Sequence, residues 1–548
     1  MSLKVSSLAL LASLIIPSAL ASPNIIHNVK GYTYTTSGEF KQFSQIAFED
    51  GKVLAIGDSL RRDYVDAKLI NGQGRTLLPG FTDGHGHFVG LGFNLLNVDI
   101  RGKGSAKEAA ATVARYAKLN PNLNWIKGRG WNQVLWPGKA FPTAADLDEV
   151  VADRPVVLSR VDGHAIWVNS KAMEVAGITK STLSPKGGEI VKDAQGNPTG
   201  VFIDNAENLI RSKIPAPGKQ EVRLAYDRAT EHLLSLGVTS MHDAGISHDE
   251  YHLFKTLAES REARVRIYGM IAASDPYLET MLSKGYVNDA NDMLSIRSVK
   301  IYGDGALGSR GAALLQAYSD DKDNVGLLVT QPKALRHLYQ QILAHKFQIN
   351  IHAIGDRANR LALDEFERAF NTMPKARALR HRVEHAQVIS VDDIPRFKQL
   401  DVLPSMQPTH ATSDKNMAQD RVGKERLKGA YAWQSFIKQG SKVIAGSDFP
   451  VELANPFYGL HAAVTRQDRN NQPDNGWLKH EALSVQQAFK AFTIDAAYGA
   501  HQEHILGGLE VGKWADFILI DKDIFEIDAS LLWTPKVLQT WMSGKRLY

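Results

Sequence analysis

The stretch "TLLPGFTDGHGHF", residues 76–88, decides how the rest of the chain is read. An apolar run passes through Pro79 and Gly80 and stops on two histidines one residue apart, His85 and His87. Residues i and i+2 of a strand share a face, so both imidazoles can address one ion at the strand's end. A polar turn that happens to hold two histidines fits the same letters. What separates the two readings lies further along the chain.

Eight short β-rich runs, each followed by a helical pattern, can be picked out: "TLLPGFTDGH" (76–85), "GVTSMHDAG" (237–245), "RVRIYGMIA" (264–272), "RSVKIYGDG" (297–305), "FQINIHAIGD" (347–356), "HRVEHAQV" (381–388), "DVLPSMQP" (401–408) and "KVIAGSDFP" (442–450). Eight strand–helix units are what a (β/α)8 barrel requires. A plain unit takes about 30 residues, and the first two runs lie much further apart, so an insertion falls between them. Residues from about 120 to 235 mix strand, helix and turn signals and predict a subdomain capping the barrel mouth. The outer segments, 22–75 and 507–548, read as strands, with a hairpin around Asp50-Gly51. Neither is long enough for a core of its own, so the two are expected to pair into one small β-sandwich domain built from both chain ends. The predicted architecture is a distorted (β/α)8 TIM barrel spanning 76–506, carrying that insertion and that composite domain.

The first 21 residues, "MSLKVSSLALLASLIIPSALA", combine a lysine, an apolar run and a small-residue cleavage pattern. They read as a signal peptide, which predicts an exported protein, periplasmic or secreted, with no stable membrane anchor after cleavage. There is no cysteine, so disulfides and thiol nucleophiles are excluded. A formal net charge of +5 over 548 residues, without a dense basic block, argues against nucleic acid as a partner. A homo-oligomer is compatible with the sequence, which carries no sign for or against one.

Taken by strand end, the polar residues form a series: His85 and His87 on the first run, Lys300 on the fourth, His352 on the fifth, His385 on the sixth and Asp448 on the eighth. Strand C-termini of a barrel converge on one mouth, which would make neighbours of them. Imidazole and carboxylate suit zinc and related divalent ions. A buried lysine has its ammonium form penalised, and the neutral amine can take up carbon dioxide as a carbamate that bridges two metals. Singly, each has an ordinary explanation: a satisfied polar histidine, a snorkelling lysine, a turn or helix-cap aspartate. Jointly, six suitable side chains on five of eight strands favour a metal cluster. "GDGALG" (303–308) matches a dinucleotide fingerprint, but it does not open a first βαβ unit, and its glycines better suit close approach of backbone to substrate.

"PGFTDGHGHF", "VKIYGDGALGSR", "INIHAIGDRA", "HRVEHAQ", "AGSDFP" and the late "GGLEVGKWADFILID" resemble the amidohydrolase superfamily, in the branch that includes N-substituted formamide deformylases and exoenzyme regulatory proteins. The resemblance covers essentially the whole mature chain. It implies a metal-dependent hydrolase with one or two ions, zinc first among them. It also implies His85, His87, His352 and His385 as ligands, Lys300 as a carbamylated or direct ligand, and Asp448 as ligand and general base. His164, in "VDGHAIWVNS", matches a recurrent motif of the insertion and is placed at the substrate pocket or in the cap's structure; Trp131 and Trp136 line the pocket or fill the cap's core. The expected reaction on a small-molecule substrate is cleavage of an amide-type C–N bond (N-acyl, N-formyl or cyclic amide) by metal-activated hydroxide. Hydrolysis of an ester or carbamate at the same site, and a non-catalytic binding or regulatory role on the scaffold, are the rival expectations.

Overall fold

A computed structural model describes residues 22–548 apart from 134–135, 162, 164 and 186–187. The expected signal peptide and His164 therefore lie outside the described residues. Among the described residues, no helix is long and apolar enough to cross a membrane.

Eight parallel strands form the barrel in chain order: β1 (Phe81–Gly86), β2 (Val238–Ile246), β3 (Arg266–Ala272), β4 (Leu294–Tyr302), β5 (Gln348–Ala353), β6 (Arg382–His385), β7 (Leu403–Met406) and β8 (Ile444–Ala445). All eight expected runs supply a strand. Helices cover the barrel from outside, so strands such as β5 are buried along nearly their whole length and read as apolar runs rather than as an alternation.

Closure falls between β1 and β8. The Asp448 amide donates to the His85 carbonyl at 2.7 Å, the His87 amide donates to the Phe449 carbonyl at 2.8 Å, and Gly86 bridges Phe449 in parallel. Asp83 staples the same seam: its carboxyl accepts the Ser447 hydroxyl at 2.6 Å, the Ser447 amide at 3.0 Å and the His85 amide at 3.1 Å. This capture of Ser447 is why β8 ends at Ala445, short of the 442–450 run read from the sequence. The chains here touch closely. A Cβ on Gly84 would lie 2.3 Å from the Ile444 side chain and 2.7 Å from the Ala445 carbonyl, and one on Gly86 would strike the Phe449 ring. Gly86, between the two histidines, is thus matched by the aromatic ring opposite.

Between β1 and β2 the chain builds a six-stranded sheet from Val98–Asp99, Ile126–Trp131, Val156–Arg160, Ala165–Val168, Gly188–Lys192 and Pro198–Asp204. It begins at Val98, well before residue 120. The helix Lys219–Ser235, expected within the insertion, instead sends Ala225, Tyr226, Ala229 and Leu233 into the barrel's own apolar cluster. Its amphipathic period is plain in sequence, but which layer its face meets is not.

Both chain ends share a seven-stranded sheet: Asn24–Tyr34, Phe40–Glu49, Lys52–Gly57 and Lys68–Pro79 from the front, Phe517–Ile520, Val537–Met542 and Lys545–Arg546 from the back. The Asp50-Gly51 turn has positive φ at both residues, the backbone of a tight hairpin. Strand Lys68–Pro79 runs through Gly80 directly into β1. Arg266 at the start of β3 fastens the sheet to the barrel through a buried pair with Asp516 at 2.6 Å.

Gly84→Ala should overpack the β1/β8 seam and cost at least about 1–3 kcal/mol. Chemical denaturation should show it as a lowered midpoint; unchanged stability would mean that the seam is not tightly packed.

Candidate metal centre

Strand pairing sets the donors side by side. Lys300 stands opposite Ala272, Tyr302 opposite His352, and Ala353 opposite His385 in the parallel ladders, all at C-terminal strand ends. His85, His385 and Asp448 bring ligand atoms within 4.8 Å of one another, and all three are buried. The other three residues singled out from the sequence line the same cavity, of about 350 Å³. His87 Nε2 lies 3.2 Å from Asp448 Oδ1, Lys300 Nζ lies 3.2 Å from His85 Nε2, and the rings of His352 and His385 are 4.5 Å apart.

Their electrostatics suit a cation. Burial, then the Lys300 charge, pushes His85 down to about 4 and His352 to about 3, so both imidazoles are neutral at neutral pH with lone pairs to offer. Burial and the neighbouring His352 lower His385 as well. Burial opposes ionisation of Asp448, yet His87, 3.2 Å away, and the fields of His85 and His385 hold its carboxyl well below the usual range. Burial pushes the Lys300 ammonium down to about 8. His352 Nε2 is a buried atom with no hydrogen-bond partner. Neutral imidazoles, an ionised carboxylate and an orphaned ring nitrogen fit a divalent ion.

Outer residues hold these groups in place. His85 Nδ1 meets Glu384 Oε2 at 2.5 Å, which leaves Nε2 facing the cluster. Burial works against the Glu384 charge, but Arg382, 2.8 Å away, and His85 hold the carboxyl below its ordinary range. Arg382 is itself anchored to His242 Nδ1, the Gly84 carbonyl and the Ser405 hydroxyl. His385 Nδ1 is fixed by Gln407 Oε1 at 2.7 Å. Three residues here stand at positive φ: His385 (73°), Ala386 (42°) and Asp448 (62°). Such backbone costs of order 1–3 kcal/mol per residue and is found where surrounding structure enforces it.

Sequence reading missed His410, whose Nε2 lies 3.6 Å from Asp448 Oδ2 on the helix Pro408–Asp414 directly after β7. The signal was available, since "QPTH" ends two residues past the seventh run. Arg382 and Glu384 were also legible, as alternate positions of "HRVEH" on one face of a buried strand. Trp131 is a correction: it is fully buried in the insertion's core, packs against Trp136 and Trp167, and donates its indole N–H to the Leu158 carbonyl at 2.7 Å. An indole so satisfied belongs to the cap's interior, and neither Trp131 nor Trp136 lines the cavity.

The Amidohydrolase family matches residues 68–548, and the chain belongs to that family. It is 32% identical to the protein LONG AFTER FAR-RED 3 of Arabidopsis thaliana, over 98% of this chain and 94% of that one. It is 26% identical to the N-substituted formamide deformylase of Arthrobacter pascens, over 88% and 90%. Among solved structures, an uncharacterized metal-dependent hydrolase from Pyrococcus horikoshii OT3 matches with a TM-score of 0.77 and 27% identity, over 93% of this chain and 99% of that one. The protein is a metal-dependent hydrolase of this family.

Glu384→Gln should weaken metal retention by about 10–100-fold, the usual effect of losing a carboxylate that orients a ligating histidine. Competition with a chelator, followed by metal analysis, measures it; retention equal to wild type would remove Glu384 from the centre's support.

Proposed function

We propose that the protein hydrolyses an amide-type C–N bond of a small molecule, with Asp448 as general base. The observation that carries this reading is the buried cluster of His85, His385 and Asp448 at the mouth of a barrel of this family. His85, His87, His352, His385 and Asp448 would hold one or two divalent ions, zinc by donor chemistry, with Lys300 joining as its carbamate. A bound ion supplies a Lewis acid for the carbonyl and lowers the pKa of water to near neutrality.

The chain's own groups do the rest. Asp448 takes the proton of the attacking water and hands it to the leaving nitrogen, so that an amine can depart. His87 and His410 flank its two oxygens at 3.2 and 3.6 Å. Leu307, Ile354 and Val451 give the cavity apolar walls. The deformylase relative acts on an N-substituted formamide by its name, which supports a C–N bond as the target.

Asp448→Asn should lower turnover by about 10²–10⁴-fold with the circular dichroism spectrum unchanged. The test is hydrolysis of a panel of N-acyl, N-formyl, cyclic amide, carbamate and ester compounds by metal-assayed protein. Full activity in the variant would remove the general-base role, ester-only turnover would move the bond, and a metal-loaded protein inert to every compound would favour the binding-protein reading.

We also propose export, on the strength of the apolar N-terminal segment and its Ala19-Leu20-Ala21 pattern. Expression with its own N-terminus should yield mature protein outside the cytoplasm starting at about residue 22; an intact Met1 on cytoplasmic protein would refute this.

A further inference from the structure

The cavity has a second chemical face. Asp414 and Glu452 line the same space as the donor cluster. Asp414 is pinned through Oδ2, which accepts the Tyr431 hydroxyl at 2.7 Å and the Gln387 amide at 2.8 Å. Glu452 is pinned through Oε1, which accepts the Ser413 hydroxyl at 2.5 Å. Each anchor holds the carboxyl by one oxygen.

Neither acid has a cationic side chain beside it in the cavity. Among the described lining residues there is no arginine, and Lys300, on the donor-cluster side, is the one lysine. Arg101, whose field reaches Glu452, is locked onto Asp99 by contacts of 2.6–3.0 Å and does not line the cavity. His410 is the group common to both acids: its field acts on Asp414 and Glu452, and its Nε2 lies 3.6 Å from Asp448. Burial raises both carboxyls above the ordinary value, the condition of acids whose ionised form lacks compensation. The donor side shows the same incompleteness, since the buried Nε2 of His352, another lining residue, has no hydrogen-bond partner.

We propose that the substrate is a small N-acyl amide carrying a protonated amine, whose ammonium sits against Asp414 and Glu452 while its carbonyl faces the His85, His385 and Asp448 cluster. This rests on the amide-hydrolase reading above and adds the substrate's charge to it. Both acids share a cavity of about 350 Å³ with Asp448, which suits a short apolar linker, of a few methylenes, between the two ends. Leu307, Ile354 and Val451 suit that linker. A cavity of about 350 Å³ lies at the small end of ligand sites, which suits a small substrate. An N-acyl amino acid would instead bring its carboxylate against two acids, with no cation to receive it.

The test uses three compounds of matched length on the metal-loaded full-length protein: N-acetyl-1,3-diaminopropane (cation), N-butylacetamide (neutral) and N-acetyl-β-alanine (anion). Equilibrium binding and hydrolysis are measured separately. The cation should bind about tenfold more tightly than the neutral compound, through charge-assisted hydrogen bonds, and the anion most weakly. Glu452→Gln should shrink the gap between cation and neutral compound; Asp414→Asn, checked by thermal melting because it also releases Tyr431, should do the same. Equal binding of cation and neutral compound, tighter binding of the anion, or an undiminished preference in both variants would overturn the inference. Charge-selective binding without hydrolysis of any amide would uphold the acid wall and sink the amide-hydrolase reading instead.

Discussion

Everything at the barrel mouth depends on the seam where β1 meets β8. Asp83 and Ser447 are 364 positions apart in sequence, yet the carboxyl of one takes both the hydroxyl and the amide of the other. Two residues past Asp83 and one past Ser447, His85 and Asp448 are joined through the backbone, the Asp448 amide donating to the His85 carbonyl. A candidate metal centre assembled from the first and last strands requires closure at that point to within a hydrogen bond's tolerance. The small side chains at 84 and 86 are the steric condition for it: with Ile444 and Phe449 pressed against them, the strands approach as closely as the shared donors demand.

Around that seam the molecule concentrates ionisable groups that burial would otherwise penalise. Glu384 stays ionised because Arg382 and His85 face it, and Arg382 is tolerated because His242, Ser405 and a backbone carbonyl satisfy it. Pairs of this kind contribute little net stability, since the desolvation of two charges offsets their attraction. Their consequence is orientation: one nitrogen of His85 is committed to Glu384, so the other can face only the cluster. Positive φ at His385, Ala386 and Asp448 belongs to the same pattern of local cost upheld by surrounding structure.

The eight strand runs were legible because a parallel barrel buries both faces of each strand, leaving contiguous apolar stretches with polar residues only at their ends. The same logic reached His85, His87, Lys300, His352, His385 and Asp448. It stopped at His410, which lies past its strand on a short helix, and it misplaced Trp131, because an aromatic residue in a cap reads alike as pocket wall or core. Insertion boundaries failed for a related reason. The helix Lys219–Ser235 shows one apolar face in its period, but that face suits the barrel as well as the inserted sheet.

The sequence by itself determined the barrel, the order of its strands and the identity of the polar residues at their ends, since these follow from local hydrophobic pattern and from counting. Only the tertiary structure decided which donors touch, which nitrogen of each histidine is free, and that Asp414, Glu452 and His410 face the same cavity as the cluster. Those facts depend on strand register, on closure at Asp83 and on the path of loops between distant segments. Distances of a few ångströms between residues hundreds of positions apart are set by the packing of the whole chain and leave no local periodicity to read.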